Sequence, residues 1–179
     1  MILKIDFETK RFPCYYNALG ISIIKESLKA SDEEYYKKLY FYKEKSNKAT
    51  KNFSYSIFIK DYTIENTEFI VNDRVTMYLS TPDLEFGLKI YNGFVKKKQY
   101  KYKEYELKKI RVDLVKEKKI TKEQVIFKTL SPICVKNKEG KFLDIDDNEY
   151  LKELNYVTNM ILNNYRGYGL KRELSFESL

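Results

Sequence analysis

The chain has 179 residues, with 34 basic and 26 acidic side chains and a net charge of +8. Apolar residues make up 43% of it and charged ones 34%, which is enough for a buried core in one domain or two small ones. With a mean hydropathy of −0.57 and no apolar run near the roughly 20 residues a spanning helix needs, an integral membrane protein is excluded.

Met1 to Phe7 alternates in polarity and carries charge early, so it reads as a strand and not as a signal peptide. Leu3, Ile5 and Phe7 fall on one side, with Ile2, Lys4 and Asp6 on the other. After Pro13, the spacing of Leu19, Ile23, Ile24 and Leu28 predicts a buried amphipathic helix, its stripe widened by Ala18 and Ile21. Ser31-Asp32-Glu33-Glu34 reads as a capping box, with Ser31 as the cap, opening a short helix to about Tyr42. The lysine-rich stretch 43–51 reads as a loop. Period two returns at 53–59, with Phe53, Tyr55, Ile57 and Ile59 on one face.

A β-hairpin is expected next, from Glu68–Val71 through a turn at Asn72-Asp73 to Arg74–Leu79. Ser80-Thr81-Pro82-Asp83 suits a helix start with a hydroxyl cap and proline at the first helical position. Leu84, Leu88, Tyr91 and Val95 then mark that helix's inner face, and Ile110, Val112 and Leu114 a half-buried strand. The order β-α-β-β-α-β is that of a ferredoxin-like α+β domain, assigned to residues 1–118. Residues 119–179 supply a strand-like run at 124–135 and a helix from Asn148, capped by Asp147. That helix carries Leu151, Leu154, Val157 and Ile161 on its apolar face and is stopped by Gly167 and Gly169. This is an incomplete second ferredoxin-like unit, expected of a shortened form or of a piece of a longer chain. An open edge on its sheet would suit a protein partner.

Residue types narrow the chemistry. Histidine is absent and cysteine occurs twice, which removes histidine-dependent triads and thiolate or imidazole zinc sites. Cys14 and Cys134 each lie among apolar residues and read as reduced core thiols. Between residues 96 and 122 there are twelve basic and four acidic side chains, and between 36 and 60 seven lysines against Glu44 alone. Such clustering is the footprint expected for a phosphate backbone, and equally fits a solvated lysine-rich surface. The candidate contacts are Lys96, Lys97, Lys98, Lys101, Lys103, Lys109 and Arg111, with Tyr100 and Tyr102 as stacking platforms.

Three stretches carry a resemblance: Lys51 to Phe58, Leu79 to Pro82, and Phe127-Lys128-Thr129-Leu130-Ser131-Pro132-Ile133-Cys134-Val135. They resemble the CRISPR-associated endoribonucleases that cut precursor CRISPR RNA within its repeats, of the repeat-associated mysterious protein superfamily. The resemblance implies two ferredoxin-like folds in tandem, a repeat RNA as partner, and metal-independent attack of a ribose 2′-hydroxyl that leaves a cyclic phosphate. It also implies a tyrosine, a histidine and a lysine in the active site. The lysine position falls on Lys51, the histidine position on Tyr40 and the tyrosine position on or near Lys25. Two of the three are therefore altered, and the glycine-rich loop expected near the end is reduced to Gly167-Tyr168-Gly169. The resulting expectation is a cytoplasmic, cofactor-free protein that binds CRISPR repeat RNA with weak or no cleavage. Its partners would extend to CRISPR ribonucleoprotein subunits or a second copy of itself. The alternatives are an active endoribonuclease using Lys51 with Tyr40, or a truncated phage-type mimic (an anti-CRISPR) that blocks complex assembly.

Overall fold

The structure, a computed structural model, describes residues 1–42, 45–47, 51–117, 119, 121 and 133–175. The expected strand-like run at Val125-Ile126-Phe127 and the Thr129-Leu130-Ser131-Pro132 block lie outside them. The chain divides into two compact units, Met1–Lys119 and Ile120–Leu179.

The first unit runs β1 (Ile2–Glu8), β2 (Arg11–Pro13), α1 (Asn17–Ser31), α2 (Glu33–Tyr40), β3 (Phe41–Tyr42), β4 (Lys45–Ser46) and β5 (Ser54–Ile59). It continues with β6 (Tyr62–Glu65), β7 (Glu68–Val71), β8 (Val75–Ser80), α3 (Leu84–Lys96), β9 (Gln99–Tyr102) and β10 (Tyr105–Val115). Five strands form an antiparallel sheet in the order β5-β8-β1-β10-β9. The first four carry the ferredoxin-like arrangement, and β9 is added at one edge. Leu3, Ile5 and Phe7 of β1 and Val75, Met77 and Leu79 of β8 are buried in one core with α1 and α3. Each such side chain contributes about 1.5–3 kcal/mol through burial. The two helices touch backbone to backbone: a Cβ on Gly93 would lie 1.9 Å from the Ser27 carbonyl oxygen.

Several details of the sequence reading are corrected. Ala18 is exposed and lies outside the buried stripe of α1. Ser31 ends α1, and the cap of α2 is Asp32, which accepts from the Tyr35 amide at 2.8 Å. Asp83, not a hydroxyl, caps α3 by accepting from the Phe86 amide, while Thr81 accepts from Asp83. Pro82 thus precedes the cap. The hairpin turn is at Asn66-Thr67, where Asn66 takes a left-handed φ of 54°. β7 pairs with β6 and β2, while β8 pairs with β1 and β5. The β5–β8 and β6–β7 ladders are two halves of one long hairpin, bent at Lys60-Asp61, whose tip joins β2.

The inner face of α3 is also the reverse of the expected one. Phe86, Gly87, Ile90, Gly93 and Phe94 are buried, whereas Leu84, Leu88, Tyr91 and Val95 are 66%, 57%, 36% and 50% exposed. Two glycines decide this, because they let α3 approach α1 and Met1 more closely than the leucine stripe would allow.

In the second unit, β11 (Val135–Lys136) pairs with β12 (Phe142–Leu143), and α4 spans Tyr150–Arg166. Its N-cap residue is Glu149, whose side chain makes no capping bond. Asp147 instead accepts from the Asp144 amide in the preceding turn. Gly167 closes the helix at φ 79°. Asn155 and Asn159, one turn apart on α4, hold the backbone of Leu174 and Leu170 against it. Gly169 passes so close that a Cβ would lie 1.8 Å from the Asn159 Oδ1. The glycine pair thus serves the helix end and the segment behind it. Both cysteines are free thiols, and Cys134 is exposed, contrary to the expected core position. No helix among the described residues is long and apolar enough to cross a membrane.

Candidate functional site

Lys25, Tyr40 and Lys51 come from three separate elements and meet at one place. Lys25 flanks the buried face of α1, which carries Ile23, Ile24 and Leu28. Tyr40 is the last residue of α2, its ring 5.3 Å from that of Tyr36. Lys51 precedes β5, where Phe53 stacks on Phe86 with ring centroids 4.9 Å apart and Asn52 accepts from the Thr81 hydroxyl. Those two anchors fix the backbone from which Lys51 projects.

The Lys25 ammonium lies 4.9 Å from the centroid of the Tyr40 ring, and the Lys51 ammonium 5.5 Å from it. Two cations therefore share one aromatic ring, a contact worth about 0.5–2 kcal/mol each. Asn47 joins the arrangement: its amide donates to the Tyr40 carbonyl at 2.7 Å, and its own carbonyl accepts from the Lys51 ammonium. Burial, and then the Lys25 charge, push the Lys51 ammonium below the usual lysine range. The Tyr40 hydroxyl is buried with no hydrogen-bond partner among the described residues. Burial, reinforced by the Tyr36 and Tyr55 phenols, pushes it up to about 12, so it stays protonated at neutral pH.

Sequence reasoning left out two supporting residues. Asn47 carries no recognisable signal. Tyr55 lies inside the Lys51–Phe58 stretch; its hydroxyl donates to the Asn17 carbonyl at 2.7 Å and its ring lies against Gly20. It thereby ties the start of α1 to β5.

The basic run from 96 to 111 is organised differently. Lys97 pairs with Glu26 at 3.2 Å and Lys101 with Glu106 at 3.4 Å. Arg111 bonds Asp6 at 2.8 Å and meets Asp113 at 3.1 Å. Lys109 donates to the Phe94 and Val95 carbonyls at the end of α3, the favourable place for a cation on a helix. Lys96 reaches the Ser31 carbonyl at 3.5 Å, Lys98 is exposed, and Lys103 sits at the β9–β10 turn with φ 52°. Tyr100 is not a stacking platform. It is buried, its hydroxyl bonded to Ser27 at 2.8 Å and its ring edge-on to Phe7. Tyr102 is half-buried.

Asp6 is the centre of this second region. Its carboxylate is fully covered on the sheet face remote from the helices. It accepts from Thr76 at 2.7 Å and Arg111 at 2.8 Å, with Lys4 and Arg74 each 3.7 Å away. Burial raises its pKa, but the bonds from Thr76 and Arg111 and the charges of Lys4 and Arg111 outweigh it, leaving the carboxyl below the usual range. Among the described residues, no three Cys, Asp or Glu side chains are grouped to hold a metal ion.

Residues 115–179 match the family model described as CRISPR associated protein Cas6, C-terminal. No curated protein matches the sequence. Three solved structures share the fold. One, described as an RAMP protein binding different RNA substrates, is 22% identical with a TM-score of 0.75, over 96% of this chain and 74% of its own. Another, described as CRISPR associated protein Cas6, is 17% identical with a TM-score of 0.68, over 97% and 74%. A third, from the characterisation of a Cas6-related gene of Pyrococcus furiosus, is 22% identical with a TM-score of 0.72, over 96% and 73%. The resemblance to the CRISPR repeat-RNA endoribonucleases therefore holds: residues 115–179 match the Cas6 C-terminal family model, and the chain shares the α+β, ferredoxin-like fold of the solved Cas6 structures.

Proposed function

We propose that this chain binds CRISPR repeat RNA in the cytoplasm and holds one phosphate of it between Lys25, Lys51 and the Tyr40 hydroxyl. The observation that carries this reading is the convergence of two ammonium groups on the ring of Tyr40, whose own hydroxyl donor is unspent. Two cations and a neutral donor suit a phosphodiester, since each can reach a separate oxygen. The fold is shared with a protein described as an RAMP protein binding different RNA substrates, which makes RNA the natural ligand class.

The same geometry argues for slow chemistry. Attack by a 2′-hydroxyl needs a base near neutral pH, and the site has no imidazole. A phenol near 12 serves only as a proton donor. The lowered Lys51 favours one second reading, an endoribonuclease that gains rate with pH. In that reading the 2′-oxygen forms a bond to phosphorus as its proton passes to the neutral Lys51 amine. The bond from phosphorus to the 5′-oxygen breaks, and that oxygen takes the Tyr40 proton. The products are a 2′,3′-cyclic phosphate and a 5′-hydroxyl.

The test is a paired binding and cleavage assay on the source organism's repeat RNA in EDTA, with a 2′-deoxy substitution at the scissile ribose. Binding without cleavage is the expected result, weakened in Lys25→Ala and Lys51→Ala variants. Cleavage of the ribose substrate alone, lost in Lys51→Ala, would establish the second reading. Repeat RNA that binds no better than an unrelated RNA of equal length would end both.

A further inference from the structure

The contact between Lys25 and Tyr40 is repeated one turn further along both helices. Lys29 follows Lys25 by four residues on α1, and Tyr36 precedes Tyr40 by four on α2. The Lys29 ammonium lies 4.7 Å from the centroid of the Tyr36 ring, as the Lys25 ammonium lies 4.9 Å from that of Tyr40. The two rings are 5.3 Å apart, and four residues of helix advance the lysines by about 6 Å. That step is close to the spacing of neighbouring phosphates on one nucleic-acid strand. A strand laid along the seam between α1 and α2 therefore meets a new ammonium at each phosphate. Lys29 is exposed and has no acidic partner among the described residues. Lys97 and Lys101, in the other basic region, face Glu26 and Glu106.

An aromatic side chain stands beside the second position. Phe41 follows Tyr40 directly, and its ring meets that of Tyr36 at 71° with centroids 5.8 Å apart. The pairing of β3 with β4 fixes its backbone. Even so, Phe41 is 44% exposed and Tyr42 beside it 66%. Aromatic rings left in solvent among cations suit stacking by a base, since every base presents a flat face. A protein surface laid over these rings would have to bring carboxylates to the lysines around them. A nucleotide carries the flat ring and the anion in one unit.

We infer that the seam between α1 and α2 is a track for two successive RNA phosphates, with a stacking position between them. Lys25 and Lys51 hold the first phosphate, Lys29 holds its neighbour, and the intervening base lies on Phe41. This rests on the phosphate reading of the Lys25, Tyr40 and Lys51 site and extends it by one nucleotide. The geometry asks nothing of the base's identity, because neither an ammonium nor a phenyl ring distinguishes one base from another.

The test uses the full chain and the source organism's repeat RNA, with one linkage at a time made neutral as a methylphosphonate and affinity read by fluorescence anisotropy. In the wild type, two neighbouring linkages should each cost about tenfold when neutralised. In Lys29→Ala one of them should cost nothing further while the other keeps its full penalty, and Lys51→Ala should show the reverse. An abasic residue between those linkages should weaken wild-type binding about tenfold and make no difference in Phe41→Leu. Leucine keeps an apolar contact with Tyr36, and circular dichroism checks that the variant is folded. Lys29 and Lys51 answering to the same linkage, or Lys29 answering to none, would overturn the track and leave the single-phosphate reading standing. An abasic penalty that persists in Phe41→Leu would overturn the stacking position. If Lys51 also answered to no linkage, the phosphate reading would fall and the track with it.

Discussion

Two lysine-rich regions of this chain have similar composition and different fates. Between 36 and 60, together with α1, the fold gathers Lys25 and Lys51 over one tyrosine, like charge facing like charge. Between 96 and 111 Lys97, Lys101, Arg111 and Lys109 are taken up one by one, by Glu26, Glu106, Asp6 and the end of α3. A count of charge along the sequence favours the second region as the phosphate site. The fold favours the first, because it draws two ammonium groups from distant parts of the sequence onto one ring, and cations brought together concentrate the positive potential.

The largest effect that separates the two regions is expected at Gly93→Ala. Its new Cβ would meet the Ser27 backbone, and main chain cannot give as a flexible side chain does. α1 must shift, carrying Lys25 away from Tyr40. Chemical denaturation should show a loss of about 3 kcal/mol, with RNA affinity reduced as well. An unchanged denaturation midpoint would mean that the two helices are not in contact there.

Asp6→Asn sharpens the contrast from the other side. It leaves Lys4, Arg74 and Arg111 without their shared counterion, and a loss of about 2–3 kcal/mol in stability is expected. Affinity for RNA in the folded protein should stay within about twofold, or rise slightly as cations are released. The wild type should show the same linkage in its pH dependence. The folded-state pKa of Asp6 lies below its ordinary value of 3.8. Its contribution is therefore complete above about pH 4 and lost as pH falls through the lower, folded value. Acid unfolding curves of wild type and Asp6→Asn should converge in that range.

Smaller, and more specific, are the effects at the phosphate site. Lys25→Ala and Lys51→Ala should each weaken repeat-RNA binding about tenfold, as expected for one charge-assisted contact to a phosphate. Each should also reduce the salt dependence of binding by about 0.7 in logarithmic slope. Lys101→Ala, whose cation already faces Glu106, should do less than half as much. Equal effects at Lys51 and Lys101 would erase the distinction between the regions.

Much of the fold was legible because period-two and period-3.6 patterns coincide with burial in β1, β5 and α1. α3 was misread for a physical reason. It carries apolar residues around most of its circumference, so periodicity alone offers two faces, Leu84-Leu88-Tyr91-Val95 and Phe86-Ile90-Phe94. Gly87 and Gly93 select the second, through close backbone approach and not through hydrophobicity. Asn72-Asp73 looked like the hairpin turn, yet Asn66 holds the left-handed backbone that the tight turn needs. Tyr100 and Tyr102, interleaved with lysines, suggested stacking platforms. The same alternation is simply that of strands whose aromatic face is inside, as the burial of Tyr100, Tyr105 and Leu107 shows. The Lys25, Tyr40 and Lys51 positions were visible only through the family resemblance, since no local pattern joins residues 26 positions apart.

Tyr40→Phe asks the narrowest question about that site. The buried Tyr40 hydroxyl has no partner among the described residues, and such a group disfavours the free protein because its desolvation is not offset by a hydrogen bond. Removing it should leave the unliganded protein as stable as before, or raise its stability by about 1 kcal/mol. If the hydroxyl donates to a phosphate, the same variant should bind repeat RNA about threefold more weakly, with an unaltered salt slope because no charge has been removed. Those two signs are opposite, and only a ligand-directed donor produces both. A tyrosine kept for its ring alone would raise stability and leave affinity where it was. The variant therefore distinguishes a phenol that supports two lysines from one that joins them in holding the phosphate.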